Sequence, residues 1–170
     1  TLFELDGKPA LDLYEHYLGT YAAQLPSSAL RFPLLVTNPS DPTQQVIRTV
    51  LNVDHDLRTL TFAAGIPEGW TARLMRGAFD NLAEGAAVAA RNVRGGADAR
   101  GLALLVSCVG RRIVMGEYAG DEVEAVAREL PSGFQQIGFY SHGEISTSSS
   151  DQRCGLHNQT MTVVTIQEAA

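Results

Sequence analysis

Residues 102–108 read LALLVSC, an uncharged apolar run of strand length. Such a run is the pattern of a central strand with both faces covered, in contrast to the alternation of a half-exposed strand. Gly110, Arg111 and Arg112 mark its exit. Beyond them, residues 119–130 repeat apolar side chains at helical spacing. Asp121, Glu122 and Glu124 stand in the first turn, where the helix dipole favours carboxylates. Residues 136–141 are again strand-like. The second half is therefore a strand–helix–strand unit.

Working outward, the first half reads differently. Asp6-Gly7-Lys8-Pro9 announces a helix, with Asp6 as its cap, Pro9 in the first turn and Gly19 as its stop. Leu34–Val36 is a short strand followed by the turn cluster Asn38–Pro42. Two β-rich runs, Gln45–Val53 and Leu57–Ala63, flank Asp54-His55-Asp56 as a hairpin, and Trp70–Met75 follows as another strand. Residues 80–92 are alanine-rich and helical, ending at Arg94-Gly95-Gly96, and Thr160–Ile166 alternates as a terminal strand. The class is α+β: a mixed, largely antiparallel sheet of about seven strands packed with about three helices.

At 170 residues one domain with a sizeable core is expected. No stretch approaches the ~18 apolar residues of a membrane helix, and no basic segment leads an apolar one as in a signal peptide. Cys108 and Cys154 form no disulfide framework and read as free thiols in a reducing cytoplasm. The net charge of −6 argues against nucleic acid, which demands phosphate neutralisation. Residues 73–112 run the other way, with Arg73, Arg76, Arg91, Arg94, Arg100, Arg111 and Arg112 against Asp80, Glu84 and Asp98. Arginine suits bidentate pairing with carboxylates or phosphates, whether a ligand's or this protein's own.

Chemistry concentrates in residues 138–160, GFYSHGEISTSSSDQRCGLHNQT, a connection too long and too polar for a simple turn. Its middle, 146–153, reads as slack. Glu144, after the permissive Gly143, either accepts hydrogen bonds from an amine or pairs with an arginine. Cys154 and His157 stand three apart, but structural zinc needs two such short spacings and only one is present. Cys108 is either a nucleophile or a small buried hydrophobe. Arg111 and Arg112 either face an anionic ligand or pair at the surface.

Taken together, SCVGR at 107–111, IGFYSHGEI at 137–145 and LHNQTMTV at 156–163 resemble the C-terminal half of FIST domains. DGKPALDLYEHYLG at 6–19 is similar to the start of that half, so the resemblance covers nearly the whole chain. It implies a single FIST C-like sensory domain over 1–170, without the family's N-terminal half. FIST domains are prokaryotic signal-transduction modules proposed to bind small ligands, amino acids in particular. Some members bind haem and sense nitric oxide, regulating histidine kinases or cyclic-di-GMP enzymes. Carried onto this chain, the motifs make Cys108, Arg111, Arg112, Tyr140, His142, Glu144, His157, Asn158 and Thr160 the ligand-binding set. His142 stands where the family commonly has an aromatic or uncharged residue, and Arg112 extends a single arginine to a pair. Arg111 is then expected to hold a carboxylate or propionate and Glu144 an ammonium, with Asn158 and Thr160 completing the polar contacts. For haem the axial candidates are His157, His142 and Cys108, in that order. The expectation is a cytoplasmic, non-enzymatic sensor of an amino acid or similar small anionic or zwitterionic metabolite. Rival readings are a haem-based nitric-oxide sensor, a protein-interaction module using the basic 73–112 segment, and an enzyme built on Cys108 with His142 or His157 as base. The enzyme lacks an evident orienting group.

Overall fold

The structure, a computed structural model, describes residues 1–93, 95–96, 98–147 and 154–167. In chain order the elements are β1 (Glu4–Leu5), β2 (Lys8–Pro9), α1 (Ala10–Leu18), β3 (Leu34–Asn38), β4 (Asp41–Arg48), β5 (Val50–Asp54) and β6 (Thr59–Phe62). Then come β7 (Thr71–Leu74), α2 (Phe79–Val93), β8 (Arg100–Cys108), α3 (Val109–Met115), α4 (Ala119–Glu129) and β9 (Gly133–Ser141). The last are β10 (Glu144–Thr147), β11 (Cys154–His157) and β12 (Met161–Gln167). The class is α+β as expected. The strands are more numerous and shorter than anticipated, because the early β-rich runs break into separate sheets. The expected slack over 146–153 lies, from residue 148 on, outside the described residues, as does Arg94.

Two compact units emerge: residues 1–77 with 147–158, and residues 78–146 with 159–170. In the first, α1 begins where expected, but Asp6 does not cap it. Asp6 and Gly7 both adopt left-handed angles (φ 51 and 71) at the turn between β1 and β2, and Pro9 takes the N-cap position. An Asp-Gly pair at positive φ is the favoured two-residue hairpin turn, which explains why the local hairpin outcompeted the cap. The expected strand Gln45–Val53 splits at Thr49. Residues before the split pair with β3 in the order β4-β3-β7, and residues after it pair with β6. Leu11 and Tyr14 of α1 pack with Val36, Val50 and Leu60 in one core. Each large aliphatic side chain so buried contributes about 1.5–3 kcal/mol.

In the second unit β8 is central in the order β12-β8-β9, antiparallel to β12 and parallel to β9. Parallel neighbours require a crossover, and α3 with α4 supplies it. Ala103 and Leu105 of β8 meet Ala86 and Ala90 of α2 and Val126 of α4 in a second core. The alanines of α2 are spaced to lie on one stripe, and their small side chains let the helix approach closely. Glycine is needed where β8 and β9 meet: a Cβ on Gly138 would lie 2.3 Å from the Leu105 carbonyl oxygen.

Candidate functional site

The sharp exit expected after Cys108 is instead a helix, α3, which starts directly from the strand. Its inner side holds Gly110, Arg111, Val114 and Met115, so Arg111 occupies a core position and is only 3 % exposed. A buried guanidinium must find partners for its donors. Its Nε donates to Glu122 Oε2 (2.9 Å), its Nη2 to the Leu82 carbonyl (2.7 Å) and its Nη1 to the Gln159 carbonyl (3.4 Å). Beside it Gly110 makes room for the Gln159 side chain, since a Cβ there would sit 2.6 Å from the side-chain Nε2. Glu122, fully buried on α4, also accepts Ser107 Oγ at 2.9 Å. Arg111, the residue expected at a ligand's carboxylate, is thus held in a buried ion pair with Glu122.

Glu122 and Gln136 both line an adjoining groove, and neither stands among the residues that the sequence motifs single out. A carboxylate in a first helical turn has a surface explanation, yet Glu122 falls on the same stripe as Ala125 and Val126, three and four residues on. That placement among buried residues was the available signal.

Beside this network lies a groove of about 180 Å³. Leu105, Val123 and Met161 provide apolar walls, Ser107, Glu122, Gln136 and Tyr140 the polar ones, and the β9 residues between them, Ile137 to Phe139, border it. In the β8–β9 register Gln136, Gly138 and Tyr140 oppose Ala103, Leu105 and Ser107, on the helix-facing side. Gly138 leaves the space between its two neighbours unfilled. Gln136 Oε1 is buried there with no hydrogen-bond partner among the described residues. Burial, followed by the Glu122 charge, pushes the Tyr140 phenol above its ordinary value. The exposed Arg112 stacks over the Tyr140 ring, 5.1 Å from its centroid.

The remaining expected residues fall in two settings. Glu144, 2 % exposed, accepts Ser141 Oγ and Thr160 Oγ1, both at 2.6 Å. This joins the GFYSHGE and LHNQT motifs. Cys108 is buried, and its backbone N–H bonds the Thr160 carbonyl at 3.1 Å. His142 is exposed. His157 and Asn158 belong to the first unit, where Asn158 Nδ2 donates to the His157 carbonyl at 3.1 Å and Asn158 Oδ1 is buried without a partner among the described residues. Among the described residues, none of His157, His142 and Cys108 lines the apolar groove. In the basic segment, Arg91 is paired with Glu84 and Glu129 just as Arg111 is with Glu122. Among the described residues no helix is long and apolar enough to cross a membrane.

Comparison with known families matches residues 10–147 to the FIST C domain, and the chain belongs to that family. FIST C is a family of sensory domains and not of catalysts. Neither the curated proteins nor the solved structures gave a match.

Proposed function

We propose that this chain is the ligand-sensing part of a signal-transduction protein, and that the groove between β9 and α4 receives an amino acid with an apolar side chain. The observation that carries this reading is Gln136 Oε1, a buried acceptor without a partner among the described residues, lining a slot that is otherwise mostly apolar. An unpaired buried acceptor costs about 1–3 kcal/mol, a cost that a ligand N–H removes on binding. The side chain of the ligand fills the apolar slot and its ammonium donates to Gln136. With Arg111 engaged by Glu122, Arg112 at the Tyr140 ring is the guanidinium left for the ligand's carboxylate. Occupancy signals only if the ligand binds one conformation better than another. Val123 and Glu122 place α4 in direct line of that change, since both belong to the groove wall. On this reading the partners are the N-terminal half of the FIST unit and an output protein such as a histidine kinase or cyclic-di-GMP enzyme.

The test is a panel of amino acids in thermal melts of the wild type and Gln136→Leu. A hundredfold excess of the right ligand over its dissociation constant stabilises the wild type by about 2.7 kcal/mol. Gln136→Leu melts higher without ligand, by about 1 kcal/mol, because the orphaned acceptor is gone. It also loses the ligand response. A variant that responds as the wild type does removes Gln136 from the site and this reading with it.

A further inference from the structure

The first unit has a groove of its own, of about 1150 Å³. Residues 1–6, Leu13, Tyr14 and Tyr17 of α1, and the whole of β7 line it. In the order β4-β3-β7, β7 is an edge strand with β3 as its one neighbour among the described residues. The ladder decides which of its backbone groups are engaged. Met75 N–H donates to the Pro33 carbonyl (2.9 Å) and Gly77 N–H to the Arg31 carbonyl (2.8 Å), while the register sets Arg73 opposite Leu35 and Thr71 opposite Thr37. Bonded and non-bonded pairs alternate along an antiparallel ladder, so Thr71 and Arg73 bond to β3. Ala72 and Leu74 therefore turn their N–H and C=O groups away from β3, on the free edge, and neither finds another backbone partner among the described residues.

We propose that this groove takes an extended peptide segment of a partner protein, with lysine or arginine between apolar residues, which pairs along β7 as a fourth strand of its sheet. The free edge is the first reason. Outward N–H and C=O groups two residues apart are the repeat of a strand, and a peptide in extended form matches it where a compact metabolite does not. Size is the second, since the volume exceeds the ~300–1,000 Å³ of small-molecule pockets. Phe3 and Tyr17, on the same lining, are 63 % and 66 % exposed, apolar surface that the side chains of an added strand would cover. Charge selects the kind of peptide. Glu4, Asp6 and Glu68 line the groove, all exposed and none in an ion pair among the described residues. Arg73 is the single arginine or lysine of the lining. Its place opposite Leu35 sets it on the other face of β7 from Ala72 and Leu74, so it does not answer those carboxylates on their side. A cationic segment is complementary to that lining and an acidic one is repelled.

Hydrogen exchange of the full chain, followed residue by residue, tests the proposal with an alternating valine–lysine hexapeptide as the probe. The peptide should slow exchange at the Ala72 and Leu74 amides and leave Thr71 and Arg73, already bonded to β3, unchanged. Fluorescence anisotropy of the labelled peptide reads the affinity. Ala72→Pro removes one outward N–H, a change that an edge strand tolerates, and weakens binding about tenfold while the thermal melt stays that of a folded protein. Glu4→Gln with Glu68→Gln weakens binding as well and flattens its dependence on salt. Should Ala72→Pro misfold, the exchange pattern of the wild type decides alone. No slowing at Ala72 and Leu74 in millimolar peptide overturns the proposal. Equal binding of the valine–glutamate counterpart overturns the cationic partner. Protection of the same two amides that rises with protein concentration, without peptide, overturns the proposal by making a second copy the occupant.

Discussion

Two glutamates of the second unit are equally hidden and differently held. Glu122 is fully buried and Glu144 only 2 % exposed. Glu122 faces the Arg111 guanidinium and the Ser107 hydroxyl, while among the described residues Glu144 has two hydroxyls, those of Ser141 and Thr160. Taking a carboxylate out of water is costly, and the two sites offset that cost by different means. At Glu122 an opposite charge does most of it, and the pair ties β8, α3 and α4 together behind the groove. At Glu144 neutral donors do it, and the result fastens the end of β9 to the segment entering β12. One carboxylate organises the core side of the slot; the other closes a loop.

The sharpest test of that contrast is Glu122→Ala. It leaves the Arg111 charge buried and unpaired, with an expected loss of about 3–5 kcal/mol in chemical denaturation. Glu144→Ala strands two hydroxyls and no charge, so the same measurement should show a smaller loss, about 1–3 kcal/mol. Equal losses would erase the distinction between ionic and neutral compensation. The smallest effect is expected from Tyr140→Phe and appears only in alkali. Burial, then the Glu122 charge, holds the Tyr140 phenol above its ordinary value in the folded protein. Its contribution is therefore complete below the unfolded tyrosine value of about 10 and is lost as pH rises through the folded value. Melting temperature against pH should fall less steeply above about pH 10 in Tyr140→Phe than in the wild type. Identical alkaline slopes would detach Tyr140 from the Glu122 network.

Where residues followed one rule at a time, the sequence was a good guide. The uncharged run at 102–108 declared a central strand, and α1 and α4 announced themselves by periodicity. α3 was hidden because its inner side carries Arg111, and a charge at a core position defeats a search for apolar spacing. Glu122 was hidden for the complementary reason: a carboxylate in a first helical turn has a surface explanation that needs no partner. Each misleads alone, and they make sense only as a pair eleven residues apart in sequence. Gln136 went unnoticed because an unmet hydrogen bond has no sequence signature.

The amino-acid sequence by itself determined the α+β class, the central strand and the neighbourhoods of the family's motifs. Local propensity and hydrophobic patterning act on neighbours in the chain, and these features depend on nothing else. Only the tertiary structure decided that Arg111 serves Glu122, that Glu144 binds the second motif to the third, and that a buried acceptor opens onto the groove. Those outcomes depend on which distant groups share a space from which water is excluded, and there every charge and donor must be met by whatever the fold brings beside it.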